Sequence, residues 1–263
     1  MSKLLFTKPR PKVSIASVTD IVDIVSEKQG PLYFRGQEND AWGLQPTIAR
    51  LRNHSHAGSR PEVAANPEEQ EKALLHRFRR HTYEERNRVL DPWEVLFVAR
   101  HHGLPVRLLD WTSNPLVALY FACLFSDTSD NDGAIWVLER RLGVPDIDVF
   151  THADPMTIAG VRLIYPFYPT RKMTAQSGIF TIHAHPWTDL TTLKEGDPDA
   201  GDIAHGTKWM VPKRKKANML RHLERLGINA RTLFPDLSGI AEGLVHTEAF
   251  RIPSEYPSLS NAT

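Results

Sequence analysis

The chain has 263 residues with a formal net charge of +1, 41% of them hydrophobic and 24% charged. These proportions are ordinary for a folded globular protein, and near-neutrality excludes a global electrostatic pull toward nucleic acid or an anionic membrane. One cysteine, Cys123, excludes an intrachain disulfide and a cysteine-built metal centre, and no run approaches the roughly 18 apolar residues of a membrane span. The apolar run Leu4-Leu5-Phe6 is too short for the hydrophobic region of a signal peptide, so the chain is expected in the cytoplasm with no membrane partner.

Residues 1–14 read as a flexible or edge lead-in, 15–250 as one domain and 251–263 as a tail. Ser17-Val18-Thr19-Asp20 starts a short amphipathic helix through Ile21, Ile24 and Val25 that closes near Gly30. Leu32, Tyr33 and Phe34 read as a strand, and Gly36 beyond them allows another backbone or a ligand to come close. His54–Pro67 is rich in small and polar residues and reads as a loop. Asn66-Pro67-Glu68-Glu69 is a strong helix start, and Leu74, Leu75 and Phe78 mark the inward face of a helix reaching about Arg88. A buried helix from Asp91 to His101 follows.

His101–Ala122, HHGLPVRLLDWTSNPLVALYFA, is the most informative stretch. Leu108 and Leu109 read as a buried strand core with Arg107 and Asp110 at its polar ends, and Thr112, Ser113 and Asn114 mark where the strand stops. Asn114 is a good N-cap and Pro115 a good first helical residue. Leu116, Leu119, Tyr120 and Cys123 follow at helical spacing and predict one buried face that includes the cysteine. A strand end feeding a helix start gathers backbone N–H groups and hydroxyls, which suits an anionic or polar ligand as well as plain capping. Ala134–Leu138 and Gly178–Ile182 read as strands, and His183–Thr207 shows no regular pattern. Met219, Leu220, Leu223 and Leu226 form a late helix face ended by Gly227. Helices alternating with short strands predict a mixed α+β fold.

Several residues carry candidate chemistry. Arg35 offers a rigid fork of donors for phosphate or ribose oxygens, or an ion pair at a strand end. Thr112 and Ser113 suit either a ribose or a turn. His101-His102 does not suggest a metal, because adjacent helical residues point about 100° apart. His102 is a conceivable base or a structural hydrogen-bonding group. Asp110 is expected to pair with Arg107 or to cap the turn, and Glu94 on the buried helix needs a partner. Tyr165, Tyr168 and Arg171 lie in the proline-broken segment YPFYPTR, where the rings can stack on a ligand or pack the loop. Lys213-Arg214-Lys215-Lys216 opens the late helix as a solvated end or as a small anion patch, and with the scattered histidines it is all that favours a nuclease.

Leu32–Arg50, His101–Ala122, Arg171–Ile182 and Thr232–Leu237 together resemble the FRG domain family, whose name reflects the triplet found here as Phe34-Arg35-Gly36. The likeness runs from about Val22 to Leu244. Tyr33-Phe34-Arg35-Gly36 and Trp111-Thr112-Ser113-Asn114-Pro115 also resemble, more remotely, the first two motifs of arginine-type ADP-ribosyltransferases. That resemblance implies a single α+β domain with a split β core, flanking helices and NAD bound as substrate between the strands. It implies that Arg35 and Gly36, the turn residues Thr112, Ser113 and Asn114, and the loop residue Tyr168 contact NAD. The family's third motif ends in a catalytic glutamate; here Gln176-Ser177-Gly178 stands in its place, so Gln176, Glu94 and Asp110 are the catalytic candidates. The implied activity is transfer of ADP-ribose to a protein or nucleic acid, as in a toxin or phage-defence effector. A nucleotide-sensing or partner-binding module without catalysis is the alternative.

Overall fold

A computed structural model describes residues 3–7, 13–49, 67–124, 131–167, 169–237 and 239–241. Its frame is a seven-stranded sheet formed by β1 (Phe6–Thr7), β2 (Leu32–Gln37), β3 (Leu108–Thr112), β4 (Gly133–Arg140), β5 (Val161–Ile164), β6 (Gly178–His183) and β7 (Ile203–Val211). The order is β1-β7-β4-β2-β3-β6-β5, with β1 and β7 parallel and the remaining neighbours antiparallel. Around it lie α1 (Val18–Ser26), α2 (Pro67–Arg86), α3 (Pro92–His101), α4 (Pro115–Cys123), α5 (Arg171–Ala175), α6 (Lys213–Arg225) and α7 (Ala230–Leu233). The α+β expectation holds, and no helix among the described residues is long and apolar enough to cross a membrane.

Local chemistry explains several of these boundaries. Ser17 and Asp20 form a reciprocal capping box on α1, and the side chains of Asp91 and Asn114 cap α3 and α4 ahead of a proline. The basic start of α6 is capped from outside the helix: the Lys213 N–H donates to the Asp132 carboxylate at 2.8 Å. That carboxylate offsets the cations at the positive end of the helix dipole. Lys216 belongs to the interior rather than to a solvated patch, and its ammonium donates to the Glu38 carbonyl at 2.5 Å.

The sheet has one weak seam. β2 pairs with β4 from Leu32 to Gln37, and β3 pairs with β6 from Leu108 to Thr112. β2 and β3 are in register only at Phe34↔Thr112. Past that pair the strands diverge, and the sheet is split between β2 and β3.

Helix α4 lies across β2, β4 and α6, and it is buried on more sides than its heptad-like spacing predicted. Val117, Ala118 and Ala122 are buried with Leu119, Tyr120 and Cys123, whereas Leu116 is only half-buried. The close packing depends on Gly36: a β-carbon there would stand 1.8 Å from the Ala118 carbonyl oxygen. The backbone that approaches Gly36 is therefore that of α4.

Other expectations are corrected by tertiary context. The stretch His183–Thr207 contains the end of β6, two 3-10 turns at Leu190–Thr192 and Pro198–Ala200, and the start of β7. β5, α5 and α7 were also unmarked in the sequence. They are short elements that hold their shape through neighbours, as where the Asp202 carboxylate accepts the Leu163 N–H of β5 at 2.9 Å. Arg107 and Asp110 do not pair with each other. Three residues apart on an extended strand they face opposite sides, and each finds its own partner: Arg107 with the buried Glu71 of α2, and Asp110 with two other arginines.

Candidate functional site

The seam between β2 and β3 opens into a cavity of about 370 Å³. Arg35 and Gly36 of β2, Asp110 and Thr112 of β3, Arg100 and His101 at the end of α3, Lys172 of α5 and Gln176 all line it. Phe121 and Phe234, whose rings meet edge-on at 6.1 Å, form an apolar wall. Arg35 and Thr112, far apart in sequence, thus reach one cavity.

Arg35 ties the split together. Where the two backbones diverge, its Nη1 donates to the Asp110 carbonyl at 2.9 Å and lies 3.6 Å from the Asp110 carboxylate. On the other side of that carboxylate, Arg100 Nε donates to Oδ1 at 3.0 Å and Nη2 donates to Oδ2. Arg100 also reaches the Thr47 hydroxyl at 3.3 Å. Burial by itself would push the Asp110 carboxyl up, but Arg100 and then Arg35 pull it down, and the net position lies below the usual carboxylate range. Asp110 is therefore an anion in the cavity wall, with its side chain 40% exposed. Among the described lining residues, three side chains are cationic, Arg35, Arg100 and Lys172, and Asp110 is the one carboxylate. Lys172 sits 4.8 Å over the Phe234 ring.

Thr112 and Gln176 fasten the floor. The Thr112 hydroxyl donates to the Gln176 carbonyl at 2.6 Å and accepts the Asn114 N–H at 3.0 Å. The Gln176 side-chain amide donates to the Leu233 carbonyl at 3.2 Å, so this residue both lines the cavity and holds α7. Gly178 pairs with Thr112 on the neighbouring strand, and a β-carbon at Gly178 would come within 3.1 Å of the Met173 carbonyl oxygen. A side chain at that position would require the backbone of α5 to shift.

The remaining sequence candidates separate. Ser113 faces a neighbouring trough of about 510 Å³ that also includes Tyr33, Tyr165 and Ser177, and its N–H donates to the Ser177 carbonyl at 3.1 Å. Asn114 serves as the cap of α4, its side chain accepting the Leu116 N–H at 2.9 Å. Glu94 is buried at the start of α3, bound by Arg88 and 3.8 Å from Arg86, and is not part of the cavity lining. It lies about 9 Å along the helix from Arg100 by the rise of an α-helix. Tyr165 shares a 2.6 Å hydroxyl–hydroxyl bond with Tyr33, whose phenol is pushed up first by burial and then by that bond. Tyr168 lies outside the described residues.

Three cavity residues were not singled out as ligand-binding from the sequence. Arg100 lies outside the quoted motifs, and Lys172, inside Arg171–Ile182, was given no role there. His101 was weighed only as a metal ligand, yet it lines the cavity while its neighbour His102 stacks toward Phe78 of α2. His101 Nδ1 lies 3.2 Å from the Thr170 hydroxyl. Burial, followed by His102 and Lys172, lowers the His101 pKa, which favours the neutral ring at neutral pH. Among the described residues no three His, Cys, Asp or Glu side chains gather to hold a metal ion.

Neither the curated proteins nor the solved structures gave a match to this chain. A comparison with protein families did, over residues 30–131. That stretch holds the Phe34-Arg35-Gly36 strand and the His101–Ala122 block, while Lys172, Gln176 and Phe234 complete the cavity from beyond it. The family matched over residues 30–131 is the FRG domain.

Proposed function

We propose that the cavity at the β2–β3 seam binds the phosphate of a nucleotide, with NAD the first ligand to test. The observation that carries this reading is the charge of the lining, three cations and one ionised carboxylate among the described residues. Guanidinium groups match phosphate oxygens in fork geometry. The Phe121–Phe234 wall adds an apolar surface against which a ring can pack.

Transfer of ADP-ribose is the second reading. It is favoured by Gln176 in the cavity lining and by the register of Gly178 with Thr112, which matches the third-motif strand to the second. The electrostatics oppose it. Breaking the nicotinamide–ribose bond develops positive charge on the sugar, and one excess cation 5 Å away raises the energy of such a charge by about 3 kcal/mol at an effective dielectric of 20. The cavity favours holding an anion over forming a cation, and the acceptor, protein or nucleic acid, belongs with this second reading.

Calorimetric titration with NAD, AMP and ADP tests the proposal. Binding is expected, with Arg35→Ala weakening it by about tenfold or more, equivalent to about 1.4 kcal/mol. Absence of binding to all three at millimolar concentration would overturn it. Release of nicotinamide, followed on the same samples, decides between the two readings.

A further inference from the structure

We propose that this cavity cleaves a ribonucleotide phosphodiester without a metal ion, with His101 as the general base. The proposal rests on the nucleotide-phosphate reading and adds a reaction to it.

The geometry brings a candidate base and three cations to one cavity. His101 stands at the C-terminal end of α3 and lines the same cavity as Arg35, Arg100 and Lys172. Its Nδ1 is engaged with the Thr170 hydroxyl, which in turn accepts the Met173 N–H at 3.2 Å and so is fixed at the start of α5. In the tautomer whose Nδ1 donates to Thr170, the lone pair is on Nε2, the atom that takes the proton in this proposal. The charged and titratable groups acting on the ring are His102 and Arg86, Lys172 from α5, and Asp236 beyond α7; Asp236 favours the cation, while burial and the other three favour the neutral form. A neutral imidazole beside a cationic wall is suited to removing a proton from a hydroxyl next to a phosphate.

The step balances without a cofactor. The substrate 2′-hydroxyl attacks the adjacent phosphorus as its proton passes to His101 Nε2, forming the O2′–P bond. The P–O5′ bond breaks, and the leaving 5′-oxygen takes a proton from water. The products are a 2′,3′-cyclic phosphate and a 5′-hydroxyl, with no change of oxidation state. Negative charge builds on the phosphorane oxygens at the transition state, where Arg35, Arg100 and Lys172 stabilise it. The same cations that oppose a ribosyl cation therefore assist this reaction.

The test uses the full chain and a short fluorescent DNA oligonucleotide containing one ribonucleotide, incubated in EDTA between pH 5 and pH 8. Cleavage on the 3′ side of the ribonucleotide to a cyclic phosphate is expected, with the rate rising with pH through an apparent pKa below 6.5. His101→Gln should reduce the rate by about 100-fold or more, the usual scale of a lost general base. Circular dichroism and urea unfolding of the variant establish that it remains folded. An intact ribonucleotide substrate, equal cleavage of an all-deoxy control, full inhibition by EDTA, or a His101→Gln rate within threefold of the parent would each overturn the proposal. Binding of AMP without cleavage would overturn it while leaving the nucleotide-binding reading in place; loss of both would remove both.

Discussion

Two arginines of this protein sit in opposite circumstances. Arg107 is buried against Glu71, with its backbone N–H donating at 2.6 Å and its Nε at 2.8 Å to the two carboxylate oxygens. One cation meets one anion, both away from water. Arg35 shares its carboxylate with a second arginine and borders an open cavity. The first pair is closed off from water; in the second cluster the described residues lining an open cavity include more cations than carboxylates. An arginine's type and strand position do not separate these roles. The ratio of cations to anions around it does.

Breaking the closed pair should have the largest effect. Glu71→Ala strands the Arg107 guanidinium in the core, and a loss of about 3–5 kcal/mol is expected from urea unfolding. Burial pushes the Glu71 carboxyl up despite the pull of Arg107, so the intact pair adds little net stability even though losing one half is costly. A double replacement, Glu71→Leu with Arg107→Met, should recover most of the loss. If Glu71→Ala costs under about 1 kcal/mol, the pair is not the closed unit described.

A pH series sharpens the same contrast. His183, buried beside the Thr181 hydroxyl at 2.9 Å, is pushed down to about 3, first by burial and then by the nearby Arg107. Its Nδ1 finds no partner among the described residues. Between the unfolded value near 6.5 and about 3, the unfolded chain binds a proton that the folded chain refuses. Stability is therefore present above that window and falls as pH drops through it, by up to about 1.4 kcal/mol per pH unit. His183→Phe should flatten this slope in urea titrations at pH 4 to 7, and an unchanged slope would remove His183 as its source. His101, on the cavity side, should leave a weaker mark on stability because it is only half-buried.

The smallest effect expected is the most specific to the open cluster. Asp110→Asn removes the one carboxylate among the described residues lining the cavity with Arg35, Arg100 and Lys172, so AMP should bind severalfold more tightly at low ionic strength. Added salt should diminish the gain. Weaker binding in Asp110→Asn would mean that the carboxylate positions the two arginines more than it neutralises them.

Much of the local structure was legible in the chain. Ser17, Asp91 and Asn114 announced their helices because capping is a contact within a few residues. β2, β3, β4 and β6 were visible as apolar runs, and the residues of two motifs, Arg35 and Thr112, do line one cavity. Arg100, His101 and Lys172 were not foreseen in the cavity lining because each looks like an ordinary polar residue on a helix until the fold turns it toward the cavity. Glu94 looked available as a catalytic carboxylate, yet Arg88, six residues earlier, binds it.

The amino-acid sequence by itself determined the helix starts, the main strands and the FRG-domain match over residues 30–131, since these depend on short-range spacing and on ordered motifs. Only the tertiary structure decided which charges meet. Strand alternation sent Arg107 and Asp110 to opposite faces, the split after Phe34↔Thr112 let Arg35 reach Asp110, and α3 and α5 brought two further cations to the same cavity. Coulomb interactions follow distance in space, so the net charge of the site could be counted only after residues separated along the chain had been brought together.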